Sequence, residues 1–571
     1  MIPTTTTLAA ENVLRLNVGW LDYVLVAIYF VFVLGIGFIA RSQISTSLDF
    51  FLSGRRLPAW VTGLAFISAN LGAIEIMGMA ANGAQVGLST FHYYWIGAVP
   101  AMLFLGVVMM PFYYGSKVRS VPEFMRRRFG PGAHLVNAIS FATAQVLIAG
   151  VNLFLLATVI NALVGWPRWL SLIVAAVVVL SYITLGGLSA AIYNEVLQFF
   201  VILAALVPLT IFGLIRVGGW EGLKDKMVDT MSDGTVTATV GEQITTWPGQ
   251  ALSGFDSPVW SVVCIVFGLG FVLSFGYWTT NFVEVQRAMA SNSISSARRS
   301  PIIAAFPKMF IPFVIIVPGM IAAAAIGDMI RLKTTGEGDI TYNDAMLLMI
   351  REILPNGLLG VAIAGLLASF MAGMAANISA FNTVFSYDIW QQYIVKERPD
   401  SYYIGVGRVA TLAATVLAIF TALIAAGYSN LMDYLQTLFG FFNAPLFATF
   451  ILGMFWKRMT ATAGWMGLVA GTLSAVFVFL LGETGVLNLP GQGVPFLAAS
   501  AAFVVDIIVS IGVSMVTAPK PASALVGLVY SETSKDIFHD PDSAGKAWYY
   551  KPVPLAAVAL ALTIILNIIF H

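Results

Sequence analysis

Runs of about 20 apolar residues recur along the chain, separated by shorter stretches that hold most of its Lys, Arg, Asp and Glu. A helix crosses a bilayer core in about 20 residues, and backbone in lipid must satisfy its own hydrogen bonds. Each run therefore reads as a membrane helix. The pattern predicts about fourteen spans, at 20–41, 58–84, 92–116, 134–165, 168–184, 190–217, 259–288, 302–330, 356–390, 404–427, 431–455, 461–482, 493–518 and 553–570. Three polar segments are longer: 218–258, acidic and rich in Thr and Gly; 331–355; and 519–552, which ends in Trp548-Tyr549-Tyr550. None is long enough for an added catalytic domain.

Composition sharpens this. Of 571 residues, 59% are hydrophobic and 10% charged, and mean hydropathy is +0.87. Soluble domains carry about 25% charge, so a soluble multidomain enzyme and a disordered chain are both excluded. A net charge of +1 leaves no electrostatic footprint for nucleic acid. With one cysteine, Cys264, and four scattered histidines, neither a disulfide nor a zinc site is expected. With the N-terminus outside, inner loops hold 20 of the 29 Lys and Arg and outer loops hold 8. This bias predicts a multi-pass protein with both termini extracytoplasmic. The first run, 20–40, is too long for a signal peptide core and reads as a retained span.

Some spans are not ordinary lipid helices. Small and polar residues crowd 68–79, and Glu75 lies in their midst. An ionisable group at that depth costs several kcal/mol unless it faces protein or water. The stretch reads as a solute or ion site on an interrupted helix, or as a tilted helix packed through small residues. Gly268, Gly270 and Gly276 weaken the span 259–288 in the same way, with Ser274, Tyr277, Thr279 and Thr280 nearby. Two glycine-interrupted segments in corresponding halves point to a transporter binding site. Lys308, among Pro301, Pro307 and Pro312, either snorkels to the inner surface or enters a site. Glu195 pairs with loop arginines or lines an ion exit path. A small-residue stripe, Ser369, Ala372, Gly373, Ala376, Asn377 and Ala380, shares one helix face. Asp433 and Gln436 lie near the outer start of the span 431–455, and Gln436 suits a hydroxylated solute. No nucleotide-binding loop, His-Glu-x-x-His or nucleophile elbow occurs, so the chain reads as neither an ATP-driven pump nor an enzyme.

Three segments carry a family resemblance: Leu185-Gly186-Gly187-Leu188-Ser189-Ala190; Gly453-Met454-Phe455-Trp456-Lys457-Arg458 with Ala463-Gly464-Trp465-Met466-Gly467; and Tyr277-Trp278 through Gln286-Arg287. On these the chain resembles the sodium/solute symporter family, with its bacterial sodium/galactose and animal sodium/glucose cotransporters, over about 20–518. The resemblance implies an all-α polytopic protein with a LeuT-type core of two inverted five-helix repeats, 58–217 and 259–455, each opening with a broken helix. Segment 1–57 would add a helix and a cytoplasmic loop, 218–258 an extracellular loop, and 456–571 three helices with a cytoplasmic loop at 519–552.

Carried over by motif, the resemblance implies solute contacts at Glu75, Tyr94, Ser274, Lys308 and Gln436. Of these, Lys308 and Gln436 keep the family's residue, whereas Glu75, Tyr94 and Ser274 replace Gln or His, Glu and Asn. It implies gates at Met79, Tyr277 and Met432. A sodium ion would be held by carbonyls of Ser68, Leu71 and Ser369 and by a hydroxyl pair, for which Ala372-Gly373 stands here, with Glu195 on the cation exit path. The expected function is import of a small polar solute, a monosaccharide such as glucose or galactose, by sodium symport across the cell membrane. No cofactor other than the coupling ion is expected. Proton-coupled or uncoupled uptake, with Glu75 titrating, is an alternative, as is a solute-sensing membrane receptor.

Overall fold

The computed structural model describes residues 14–41, 52–72, 74–118, 120–231, 237–428, 430–534, 536 and 545–571. Ala73, in the stretch 68–79, and Arg119 and Lys535, counted among the inner-loop charges, lie outside the described residues, as do the side chains of 181–187 and 190 and so most of the first family segment.

Among the described residues eleven helices are long and apolar enough to cross a membrane: Tyr93–Gly115, Pro131–Val164, Ala191–Val217, Pro258–Thr280, Ile294–Ala325, Leu358–Ile394, Asp400–Ala425, Leu431–Phe455, Ala461–Glu483, Gly493–Val516 and Pro552–Ile569. The pair Ala59–Asn70 and Ile74–Phe91, bent by 56°, makes a twelfth if it is counted as one broken span. The first predicted span, 20–41, is a helix of 22 residues, Trp20–Arg41, whose described apolar part is Trp20–Ile36, and Arg168–Leu180 is a further short described apolar stretch. The predicted spans 168–184 and 190–217 also form one helix, Arg168–Val217, of 50 residues. Gly186-Gly187, flanked by apolar residues without proline, leaves that helical backbone unbroken. Among the described residues the only paired strands are two residues each, Thr230–Met231 antiparallel to Thr237–Ala238 in the 218–258 segment.

The helix ends follow local chemistry. Ser120 accepts from Glu123 N–H to start Val121–Phe129, and Asn430 and Thr460 cap the helices that follow them. Gly165 and Gly218 take left-handed conformations that close Pro131–Val164 and Arg168–Val217. Burial then ranks the helices. Leu358–Ile394 is 89% buried over its most apolar window, against 22% for Pro552–Ile569. Its small-residue stripe lets neighbouring backbones approach, which suits a central position.

The first predicted break is present. The helix Ala59–Asn70 ends at Leu71 (φ −69°, ψ 43°), and Glu75 falls in a wide π-helical turn, Ile74–Gly78, before Met79–Val86. That second half lies hard against Ile311–Ala325, where a Cβ on Gly319 would stand 1.9 Å from the Ala80 carbonyl oxygen.

The second predicted break is displaced. Pro258–Thr280 is continuous through Gly268, Gly270 and Gly276, with Cys264–Ser274 wound as a π-helix. These glycines serve close packing: a Cβ on Gly276 would come 2.9 Å from the Asn443 carbonyl oxygen. The backbone leaves the helix at Asn281 (φ −70°, ψ 116°), whose side chain caps Phe282–Met289 by accepting from Val283 N–H.

Candidate functional site

The bend at Leu71–Gly72 opens one side of a cavity of about 90 Å³. Glu75, Tyr94, Ser274, Lys308 and Gln436 all line it, and so do Met79, Tyr277 and Met432. Residues from distant parts of the sequence thus meet on one surface.

Lys308, the last residue of Ile294–Lys308, does not snorkel. Its side chain is 1% exposed and its ammonium lies 2.6 Å from Glu75 Oε1. It also donates to Asn70 Oδ1 and stands over the rings of Tyr94 (4.8 Å) and Trp278 (5.1 Å). A desolvated cation gains from both the carboxylate and the aromatic faces. From Lys308 the polar contacts run on. Asn70 Nδ2 donates to Tyr277 Oη at 3.1 Å, and that hydroxyl donates to Glu284 Oε1 at 2.8 Å. A continuous chain therefore links Glu75 to the Asn281 interruption.

The other predicted contacts are placed differently. The Tyr94 hydroxyl is buried beside Glu75. Ser274 Oγ donates to Leu269 O of its own π-helix, so its hydroxyl is already engaged. Gln436 donates to Met432 Sδ at 3.2 Å. Met432 Cε stands 3.2 Å from an ideal Cβ on Gly78. Beyond it lies a polar hollow with Asn82, Gln85, Asn430, Asp433 and Gln492 in its wall. At the opposite side the Tyr277 ring packs on Phe439 at 4.6 Å.

Of the predicted cation residues only Gly373 lines the cavity. Ala372 is buried and has no oxygen on its side chain; Ser68 and Ser369 are fully buried with hydroxyls that lack partners among the described residues. Glu195 is fully buried and grips Arg287 through both oxygens, at 2.6 and 3.3 Å. Sequence reasoning missed Asn70, Trp278, Asn152 and Glu284. Asn152 and Glu284 are polar residues within predicted spans, and that signal could have flagged them.

A family model for the sodium:solute symporter family matches residues 50–471. The chain is 27% identical over 483 residues to the sodium/glucose cotransporter of Vibrio parahaemolyticus, covering 81% of this chain and 86% of that protein. It is 28% identical over 559 residues to sodium/glucose cotransporter 4 of Danio rerio, covering 92% and 84%. Among solved structures, a substrate-bound, outward-open Na⁺-coupled sialic acid symporter matches with a TM-score of 0.73 at 20% identity, covering 88% of this chain and 98% of that one; the shared property is the fold. The chain belongs to the sodium:solute symporter family, a family of membrane transporters and not of enzymes.

Proposed function

We propose that this protein imports a small, neutral, polyhydroxylated solute, a monosaccharide of the glucose or galactose kind, by sodium symport across the cell membrane. One observation carries the reading: the Glu75–Lys308 pair, Gln436 and the Tyr94 and Trp278 rings converge on one cavity at a helix break. A carboxylate beside an ammonium offers acceptor and donor to adjacent hydroxyls while leaving the pocket without net charge. Aromatic faces cover the apolar faces of a sugar ring. The relatives named above, sodium/glucose cotransporters, agree with this.

In this reading 58–217 and 259–455 are inverted repeats of a LeuT-type core, and both termini lie outside. Solute and sodium enter past Met79 and Met432, and Tyr277 closes the inner side. Sodium favours the outward-open state because it binds that state more tightly; without that difference nothing is coupled. Glu195 lies on the cation's way out. The absence of a hydroxyl pair at Ala372-Gly373 favours the proton-coupled alternative.

Uptake of labelled glucose and galactose into proteoliposomes decides the matter. Accumulation driven by a sodium gradient alone is expected. Accumulation driven by a proton gradient alone would transfer coupling to the proton, and no hexose uptake under either gradient would refute the sugar assignment.

A further inference from the structure

We propose that Asn152 Oδ1 is a ligand of the coupling cation, standing in for the side-chain oxygen that Gly373 lacks. The inference rests on the sodium reading above and adds a residue to it.

Asn152 lies in Pro131–Val164, a helix that none of the predicted cation residues belongs to. It is 2% exposed, and its carbonyl oxygen has no hydrogen-bond partner among the described residues. Its amide makes one long contact, 3.4 Å to Ile148 O of its own helix. An unsatisfied acceptor at this depth costs stability unless something occupies it.

Asn152 lines the cavity together with Gly373, and its contacts there point to a cation. An ideal Cβ on Gly373 would lie 3.0 Å from Asn152 Oδ1 and 3.2 Å from Gly72 Cα. An ideal Cβ on Gly72 would lie 3.4 Å from the same oxygen and 3.3 Å from Gly373 Cα. The oxygen thus sits at the crossing of Leu358–Ile394 with the break after Ala59–Asn70, crowding the space from which a side chain at 373 would start. More oxygens belong to this crossing. Gly72 N–H donates to Asn70 O at 2.7 Å, which deprives the Ser68 carbonyl of its helical i+4 donor. The unpartnered hydroxyl of Ser369 is one helical turn from Gly373, and that of Ser68 lies in the last turn of Ala59–Asn70, before the break at Leu71–Gly72. Oxygen ligands suit a hard cation, and a set without a carboxylate suits a monovalent one.

The geometry also explains the glycine. With Asn152 in place, a side chain at 373 is crowded. The native pair supplies one oxygen from position 152, and the exchange Asn152→Ala with Gly373→Ser would supply it from position 373 instead. The test is a sodium titration of thermal stability on the purified full-length protein, with choline holding ionic strength constant, paired with the sodium and solute half-saturation of uptake.

Asn152→Ala is expected to raise the sodium half-saturation at least tenfold in both assays. Gly373→Ser added to Asn152→Ala is expected to recover most of that loss, which a purely structural asparagine would not allow. An unchanged sodium half-saturation in Asn152→Ala, with the wild type still responding to sodium, overturns the proposal and leaves sodium symport standing. A shift in solute half-saturation alone overturns it too, making Asn152 a solute contact. A wild type that responds to no sodium concentration removes the symport reading itself, and the proposal with it.

Discussion

Lys308 and Glu75, 233 positions apart, form a 2.6 Å ion pair in the wall of the cavity, with the lysine side chain 1% exposed. Removing one partner of a buried pair strands the other charge, at a cost of about 3–5 kcal/mol, whereas replacing both with apolar groups is often neutral. Lys308→Met is therefore expected to lower the melting temperature and abolish uptake. Lys308→Met with Glu75→Leu is expected to regain most of the stability and none of the uptake. Melting curves and uptake on the four variants of the cycle check this. Equal melting of single and double variants would show that the pair does not hold the fold.

Tyr277 is the middle of the polar chain, accepting from Asn70 and donating to Glu284. Glu284 Oε2 has no partner among the described residues, so the tyrosine hydroxyl is the contact that holds this carboxylate. Tyr277→Phe keeps the ring against Phe439 and removes both bonds, a loss of about 1–3 kcal/mol at a buried acceptor. If the tyrosine closes the inner side, that loss falls on the closed state. Efflux from preloaded vesicles is expected to rise several-fold while accumulation falls. Unchanged efflux would take Tyr277 out of the gate.

Much of this was legible in the sequence, for identifiable reasons. Hydropathy locates spans because lipid demands it of every residue in them. Glu75 stands out because an acid in an apolar run needs an explanation. Its meeting with Lys308 was not legible, since no local pattern relates two residues so far apart in the chain, and snorkelling fitted Lys308 equally well. The glycines of 259–288 misled because close packing and helix breaking ask for the same residue. The break falls at Asn281, where a side chain able to cap Val283 N–H offers the backbone an alternative to the helix. Asn152 escaped because its significance lies in what is missing at Gly373 on another helix.

Gly319 measures how rigidly the broken helix is held. Its missing Cβ would stand 1.9 Å from the Ala80 carbonyl oxygen, a backbone atom that cannot rotate away. Gly319→Ala must push Ile311–Ala325 off Met79–Val86, and overpacking of this kind costs about 1–3 kcal/mol or more. At Gly327 nothing lies within 4 Å of the added Cβ, so Gly327→Ala is the control, within about 0.5 kcal/mol of wild type. Thermal melts in one detergent compare them. A Gly319→Ala protein as stable as the control would mean that the two helices yield easily.

Lys333, in the short helix Gly327–Thr335 beyond the spans, donates to Ala84 O at 2.8 Å and to Gln243 Oε1. Gln243 in turn donates to Val228 O and Ala238 O, so one amine ties Val228, Ala238 and Gln243 to the end of the broken helix. Burial pushes the Lys333 ammonium down from 10.5 to about 7, against the upward pull of Asp229. The folded state therefore favours the neutral amine. The penalty for burying the charge is complete below pH 7 and fades as pH rises toward 10.5, so stability gains with pH across that window. The melting temperature is expected to climb between about pH 7 and 9, and Lys333→Met, which carries no charge at any pH, is expected to flatten that climb. An identical slope in both proteins would assign the pH dependence to another group.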